Sequence, residues 1–429
     1  MKRIKKFLVP VLVAMVAVTI ASCGSGNKRS NFVPVKSARE YRFDKKISRE
    51  VLENYLDRSV TMQSLLIKRG ADFDDNLRMI GNMGIKFIGR AVCQWAGETG
   101  MLANFELERE LIPRVHQVDP DIILQACIFE IISENVNQVP IPDWCFEEMG
   151  MPVEQRNFSY EKMLYPDGQF VGHWNQRSSV PDVSQDETKL YFFYQAATYI
   201  DMGIEAIHFG QVELMNKSDK ELHHYAGVMA KIREYAKKNA RRGMIICDAH
   251  VPGGGFLYDG DYLLMDFHSF PLRIKEIEPA EEAMLEVGYT DAIYNRSKGG
   301  RTYSGWSCEH LPYLVEFDNY GGSGRPSQPR TENGGFVWIW GYDEISWFAH
   351  QPADYRHKWL RYAYDWVRDT DPNGWLQMPA GRQTTSPLDG KRWYAANNPS
   401  DKVPDGHGDE DVIRDIWQTG RTSARTSTK

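Results

Sequence analysis

The feature that most restricts the fold of this chain is a recurring pair. A short apolar run closing on polar or aromatic residues is followed by a stretch with apolar residues at helical spacing. That alternation is the sign of parallel β/α units, in which the helix after each strand covers it. The β-branched runs place strands at Val60 to Ile67, Lys86 to Trp95, Ile122 to Ile132, Glu205 to Leu214, Met244 to His250, Tyr262 to Ser269, Tyr313 to Asp318 and Gly335 to Tyr342. Helices are expected at about Asp74 to Met83, Glu106 to Val118, Glu187 to Asp201, Lys220 to Ala240, Glu276 to Val287 and Asp354 to Arg368. Eight strands with alternating helices predict an α/β fold, a closed (β/α)8 TIM barrel over residues 56–370, rather than an open doubly wound sheet. No Gly-x-Gly-x-x-Gly turn follows the first strand. Long loops are expected after strands three and six, the former a Pro-, Asn- and Trp-rich excursion from Ser133 to Gln185. Residues 371–429 read as a C-terminal extension with a disordered Ser/Thr/Arg-rich tail.

The first 22 residues differ in character. Lys2, Arg3, Lys5 and Lys6 precede an apolar run from Phe7 to Ile20, and Ile20-Ala21-Ser22 leads into Cys23. A basic head, a short apolar helix and small residues at the cut are the parts of an export signal. The run is shorter than the roughly 20 residues that span a bilayer. Its end resembles the bacterial lipobox, with Ser22 where Gly or Ala is commoner. The resemblance implies a signal peptide over residues 1–22, cleavage before Cys23, and lipidation of that cysteine with enough hydrocarbon for a stable anchor. Residues 23–55 then form a tether and N-terminal segment. An ordinary signal peptide with an incidental cysteine is the plainer alternative. The expected location is the cell envelope, lipid-anchored on the periplasmic face or outer surface.

Losing the four basic signal residues takes the formal charge from −7 to −11. So acidic a body argues against nucleic acid as a partner and against lying flat on anionic lipid. Cys93, Cys127, Cys145, Cys247 and Cys308 show no close spacing of the zinc or redox kind, and most read as reduced core thiols.

In such a barrel the strand bodies are packed, and chemistry collects where the strands end on their carboxyl side. Strand two ends in Arg90, Gln94 and Trp95, strand three in Gln125, Phe129 and Glu130, and strand four in His208, Gln211 and Glu213. Strands five to eight end in Asp248 and His250, Asp266 and His268, Glu316 and Asp318, and Trp338, Trp340 and Asp343. Indole faces pack well on the C–H faces of pyranoses. Trp95, Trp144, Trp174, Trp306, Trp338 and Trp340 therefore suggest a carbohydrate cleft, with core filling as the competing use.

Glycoside hydrolysis needs two carboxyl groups across the anomeric carbon. Glu213 and Glu316 meet that need by position. Here the chain resembles the clan A glycoside hydrolases, through Gly210-Gln211-Val212-Glu213 and Leu314-Val315-Glu316-Phe317-Asp318. The resemblance implies Glu213 as acid/base, Glu316 as nucleophile, Arg90 as the cation that keeps the nucleophile ionised, and Trp340 as a platform under the reacting sugar. Val212 stands where the clan usually has Asn, so Gln211 is the candidate for the sugar hydroxyl. Arg90, Trp95, His208, Asp248, His250, Asp266, His268, Asp318, Trp338 and Trp340 are the other expected substrate contacts. No cofactor or metal is expected, and the partners are a carbohydrate substrate and the membrane.

Signal and barrel together resemble the lipoprotein glycosidases of Bacteroidota polysaccharide-use systems, although the acidic export tag often found after the cysteine is absent. Two other readings compete. Asp248-Ala249-His250 and Asp266-Phe267-His268, joined by Glu213 and Glu316, are suitable ligands for a divalent metal and would make the chain similar to xylose-isomerase-like barrels. A non-catalytic glycan-binding lipoprotein would keep the Trp-lined cleft without paired acids.

Overall fold

Eight parallel strands pair in chain order and close on themselves: β1 Ser59–Met62, β2 Phe87–Val92, β3 Ile123–Cys127, β4 Ala206–Gln211, β5 Ile246–His250, β6 His268–Pro271, β7 Tyr313–Glu316 and β8 Gly374–Gln383, which returns to β1. A ninth strand, β9 Trp393–Ala395, adds antiparallel to β8. The architecture is a (β/α)8 barrel. The computed structural model describes residues 39–67, 72–278, 281–289, 292–319, 331–332, 336–337, 343–385 and 393–419. They lie in one compact unit, Pro34–Lys429. The signal segment and Cys23 fall outside the described residues, as do Trp338 and Trp340.

Every residue of β1, β2, β3, β6 and β7 is buried, because helices cover these strands outside and side chains fill the barrel inside. Helices Asp72–Met83, Met101–Val118, Asp186–Met202, His223–Asn239 and Ala353–Thr370 build much of the outer layer. Asp186–Met202 stops at Gly203, whose φ of 101° lets the chain turn out of the helix without a Cβ clash. The amino end of the barrel is plugged by the helix Arg49–Leu56. Leu52, Tyr55 and Leu56 are fully buried against Phe87, Ile123, Ala206, Ile246 and Leu314. Each such leucine contributes on the order of 2 kcal/mol by burial.

The first five strands and β7 begin within two residues of the positions read from sequence, and most end earlier. Three expectations are corrected. The sixth strand is His268–Pro271, while Tyr262–Leu263 joins a small separate sheet with Leu257–Tyr258 and Gly300–Arg301. The stretch read as a helix at Glu276 to Val287 contains a hairpin, Lys275–Glu278 against Glu282–Met284, and Pro279 in that sequence would remove a helical hydrogen bond. The eighth strand is Gly374–Gln383, past the residue 370 at which the barrel was expected to end, whereas Phe336–Val337 pairs antiparallel with Thr331–Glu332. The region after residue 370 also carries the helix Glu410–Thr419, and residues 420–429 lie outside the described ones.

The excursion after β3 is ordered. Ile132–Ser133 pairs with Ser178–Ser179, a helix spans Asp143–Met149, and the Trp174 indole donates to the Glu130 carbonyl at 2.8 Å. Among the described residues no helix is long and apolar enough to cross a membrane.

Candidate active site

A cleft of about 340 Å³ opens at the carboxyl ends of the strands. Arg90, Cys93 and Trp95 reach it from β2 and the loop beyond, Phe129 and Glu130 from the end of β3, and His208 and Gln211 from β4. His250, Arg273, Asp318 and Arg382 come from β5 to β8 or just after.

The wall between β2 and β7 is an ion pair. The β2–β3 register shifts between Ile88 and Val92, and Arg90 within that irregularity has φ 57°. A non-glycine residue there costs roughly 1–2 kcal/mol, and bulges of this kind re-aim a side chain. Arg90 Nε donates to both Glu316 oxygens at 2.9 and 3.1 Å, its Nη2 also contacts Glu316, and its backbone N–H reaches the Gln125 amide oxygen at 3.0 Å. Arg382 stands 3.9 Å from Glu316, and the Thr61 hydroxyl donates to it at 3.4 Å. Burial would push Glu316 up, but the Arg90 and Arg382 guanidinium groups outweigh it and hold the carboxyl well below the usual range.

Beside this pair lies a second buried group. The Asp248 carboxylate accepts from Gln125 Nε2 at 2.7 Å, from the Ser269 hydroxyl at 2.6 Å and from His208 Nδ1 at 2.7 Å. Burial pushes His208 below its ordinary value despite Asp248, so the ring is neutral with its proton on Nδ1 and a lone pair on Nε2. Among the described residues that Nε2 has no partner although His208 lines the cleft, and the centroids of the His208 and His250 rings lie 4.9 Å apart. His250 Nε2 is 3.7 Å from Glu316, too far for a hydrogen bond.

Glu130 and Asp318 are the carboxylates that line the cleft among the described residues. Glu130, 2% exposed, accepts from the Gln211 backbone N–H at 2.8 Å and from Gln211 Nε2 at 2.9 Å, and no cation among the described residues pairs with it. Gly210, φ 59°, makes room for it, because a Cβ there would overlap the Glu130 carboxylate. Asp318 accepts from Arg382 at 2.9 Å, with Arg273 at 3.9 Å. The two acids sit beyond β3 and β7, four strands apart in a ring of eight, so they approach from opposite sides.

The expected residues divide accordingly. Arg90, Trp95, His208, Gln211, His250 and Asp318 meet at the cleft, with Asp248 fully buried behind His208. Glu213 does not line it. β4 stops at Gln211, and the helical turn Val212–Met215 carries Glu213 to the loop after β5, where it accepts from the Gly253 N–H at 3.1 Å. Glu316 lies in the wall, in contact with Arg90. Asp266 precedes β6 and pairs with Arg233 at 3.2 Å, while His268 is its first residue and meets Ser297 at 3.2 Å; both belong to the opposite end of that strand. Burial lowers His268 to about 3. The metal set of Asp248, His250, Asp266, His268, Glu213 and Glu316 is therefore dispersed, and among the described residues no three His, Cys, Asp or Glu side chains are grouped to hold an ion.

Trp144 packs on Phe193, Tyr194 and Tyr235, and Trp306 donates to the Ile47 carbonyl, so both serve the core. Sequence reasoning passed over Arg273, Arg382 and Gln63, and noted Glu130 at a strand end without assigning it a role. Arg382 was hidden by the misplaced eighth strand. Gly374–Gln383 lacks Val and Ile and contains Pro379 and Gly381, so it has little of a strand's usual signature.

No family model matches the chain, and no curated protein matches it. Among solved structures, a debranching enzyme from Nostoc punctiforme matches at 15% identity and a TM-score of 0.31, covering 50% of this chain and 52% of that one. The chain thus spans about half the length of that enzyme. The glycoside hydrolase domain of PelA from Pseudomonas aeruginosa matches at 8% identity and a TM-score of 0.32, over 74% of this chain and 93% of that one. An α-galactosidase from Thermus thermophilus matches at 11% identity and a TM-score of 0.28, over 45% and 38%. These values carry no argument about chemistry, and the barrel rests on its own strand order.

Proposed function

We propose that the protein is a glycoside hydrolase acting on a polysaccharide or glycan at the cell envelope, held there by lipid on Cys23. The observation that carries the catalytic reading is the approach of Glu130 and Asp318 from opposite sides of one cleft at the carboxyl ends of the strands. Hydrolysis of a glycosidic bond requires a proton donor on one side and a nucleophile or base on the other. Glu130, bonded only to amide donors, protonates the leaving oxygen. Asp318, clasped by Arg382, attacks the sugar or activates water. Neutral His208 offers Nε2 to a sugar hydroxyl, and Arg90 with Glu316 forms the rigid wall behind it.

Release of reducing sugar from a panel of polysaccharides tests the assignment, with Glu130→Gln, Asp318→Asn, Glu213→Gln and Glu316→Gln variants of the full chain. Loss in the first two with Glu213→Gln still active supports it. Loss in Glu213→Gln with Glu130→Gln active returns the chemistry to the strand-four and strand-seven glutamates. Polymer binding without any hydrolysis by the wild type leaves a binding protein. The anchor is tested separately by palmitate labelling in the native host, which Cys23→Ala should abolish.

A further inference from the structure

Trp95 is 48% exposed at the mouth of the cleft, an unusual state for a large indole in a well-packed barrel. It does not stand alone. Its ring lies 5.2 Å from Phe129 inside the cleft and 5.0 Å from Trp174 outside it. From Trp174 the series continues to exposed His173 at 4.5 Å and then to Phe170 at 5.3 Å. The outer members belong to the excursion after β3, which Trp174 ties to the barrel through the Glu130 carbonyl. The rings therefore form one contiguous, largely edge-to-face series that leads from Phe129, next to the candidate acid, into the excursion.

Two backbone sites support it. Ala96, next to Trp95, has φ 52°, and Phe170 has φ 59°. Non-glycine residues in this region cost free energy, and such strain persists where surrounding structure holds a geometry in place. Between Ser133 and Gln185 the excursion carries eight acidic and three basic residues, with Arg177 paired to Glu134 at 2.9 Å, a charge that disfavours an anionic polymer. What the wall offers a ligand is the exposed ring surface of Trp95 and His173, backed by the partly buried Trp174 and Phe170 and suited to the C–H faces of uncharged sugars. Five rings take part, with neighbouring centroids 4.5 to 5.3 Å apart.

We infer that the Phe129–Trp95–Trp174–His173–Phe170 wall is an extended subsite for an uncharged polysaccharide, which enters the cleft from the side of the excursion. This rests on the glycosidase reading and deepens it. The enzyme would act on polymer in preference to short glycosides, because affinity gathered along the wall is available only to a chain that reaches it.

The test separates binding from cleavage. Affinity electrophoresis of full-length Glu130→Gln in gels containing pullulan, mixed-linkage β-glucan, arabinoxylan or galactomannan should show retardation on at least one polymer. Adding Trp95→Ala should weaken that interaction by about tenfold or more, and adding His173→Ala by a few-fold, with a smaller change for the disaccharide of the same linkage. Tryptophan fluorescence titration of the same variants gives the dissociation constants. Retardation by none of the polymers overturns the inference, as does unchanged polymer affinity in both double variants or an equal loss for polymer and disaccharide. Hydrolysis by the wild type with an inert wall would defeat the subsite alone. Polymer binding through the wall without hydrolysis would defeat the catalytic reading alone.

Discussion

Two buried glutamates at opposite sides of the barrel mouth are treated in opposite ways. Glu316, beyond the middle of β7, meets the guanidinium fork of Arg90, a second cation in Arg382 and the hydroxyl of Thr61. Glu130, after β3, is equally buried and receives two amide N–H groups from a single residue, Gln211. A carboxylate locked to a buried cation is costly to protonate. On the proposed reading the proton donor is therefore the other glutamate, which meets only neutral donors at the cleft. Glu108, in the helix Met101–Val118, marks the limit of the series. Among the described residues neither of its carboxyl oxygens has a hydrogen-bond partner, and burial raises it to about 8.

If this contrast is right, the largest effect belongs to Glu130. Glu130→Gln should lower kcat on a cleaved glycan by about a thousandfold, with unfolding free energy within about 1 kcal/mol of wild type. Unfolding with retained activity would invert the comparison. Glu316→Gln should do the reverse in kind, destabilising the fold by about 3 kcal/mol in urea titrations because Arg90 is left buried without its counter-charge. The pH dependence sharpens this. Because the folded value of Glu316 is depressed, its contribution is complete above the ordinary carboxylate range and is lost as pH falls through the folded value. The stability gap between wild type and Glu316→Gln should therefore narrow below about pH 4.

Glu108→Gln carries the opposite sign. The unfolded chain ionises Glu108 from the ordinary carboxylate range upward and the folded chain only near 8, so wild-type stability declines as pH rises across that window. The substitution should flatten the decline and raise stability at pH 8 by roughly 1–3 kcal/mol, read from denaturant midpoints at several pH values. Arg90→Lys is the finest probe. It keeps the charge facing Glu316 but loses the fork, and should cost about 1 kcal/mol. A larger loss would mean that the left-handed backbone at Arg90 depends on the guanidinium itself.

The contact of Arg90 with Glu316 was anticipated only as an implication of the clan A resemblance, not from any local pattern of residues. The placement of Asp248 and His250 on the carboxyl half of β5 was legible, although only His250 reaches the cleft. Glu213 was misread through alternation. Gln211 and Glu213 share a face only if the strand continues, and it gives way to a helical turn. Asp266 and His268 were misread because the apolar run from Tyr262 is split between a small sheet and the start of β6, which puts both residues at the amino end of that strand.

What the amino-acid sequence by itself determined is the barrel. A strand covered by helices outside and by packed side chains inside has to be apolar nearly throughout, and that pattern survives in one dimension at β1 to β5 and β7. Which acids share the cleft was decided only by the tertiary structure. That choice turns on the residue at which each strand starts and stops, and on a closing strand whose Pro379 and Gly381 are tolerated through its place in the ring. Those boundaries are set by closure of the ring and by packing of the loops, which no local run of residues encodes.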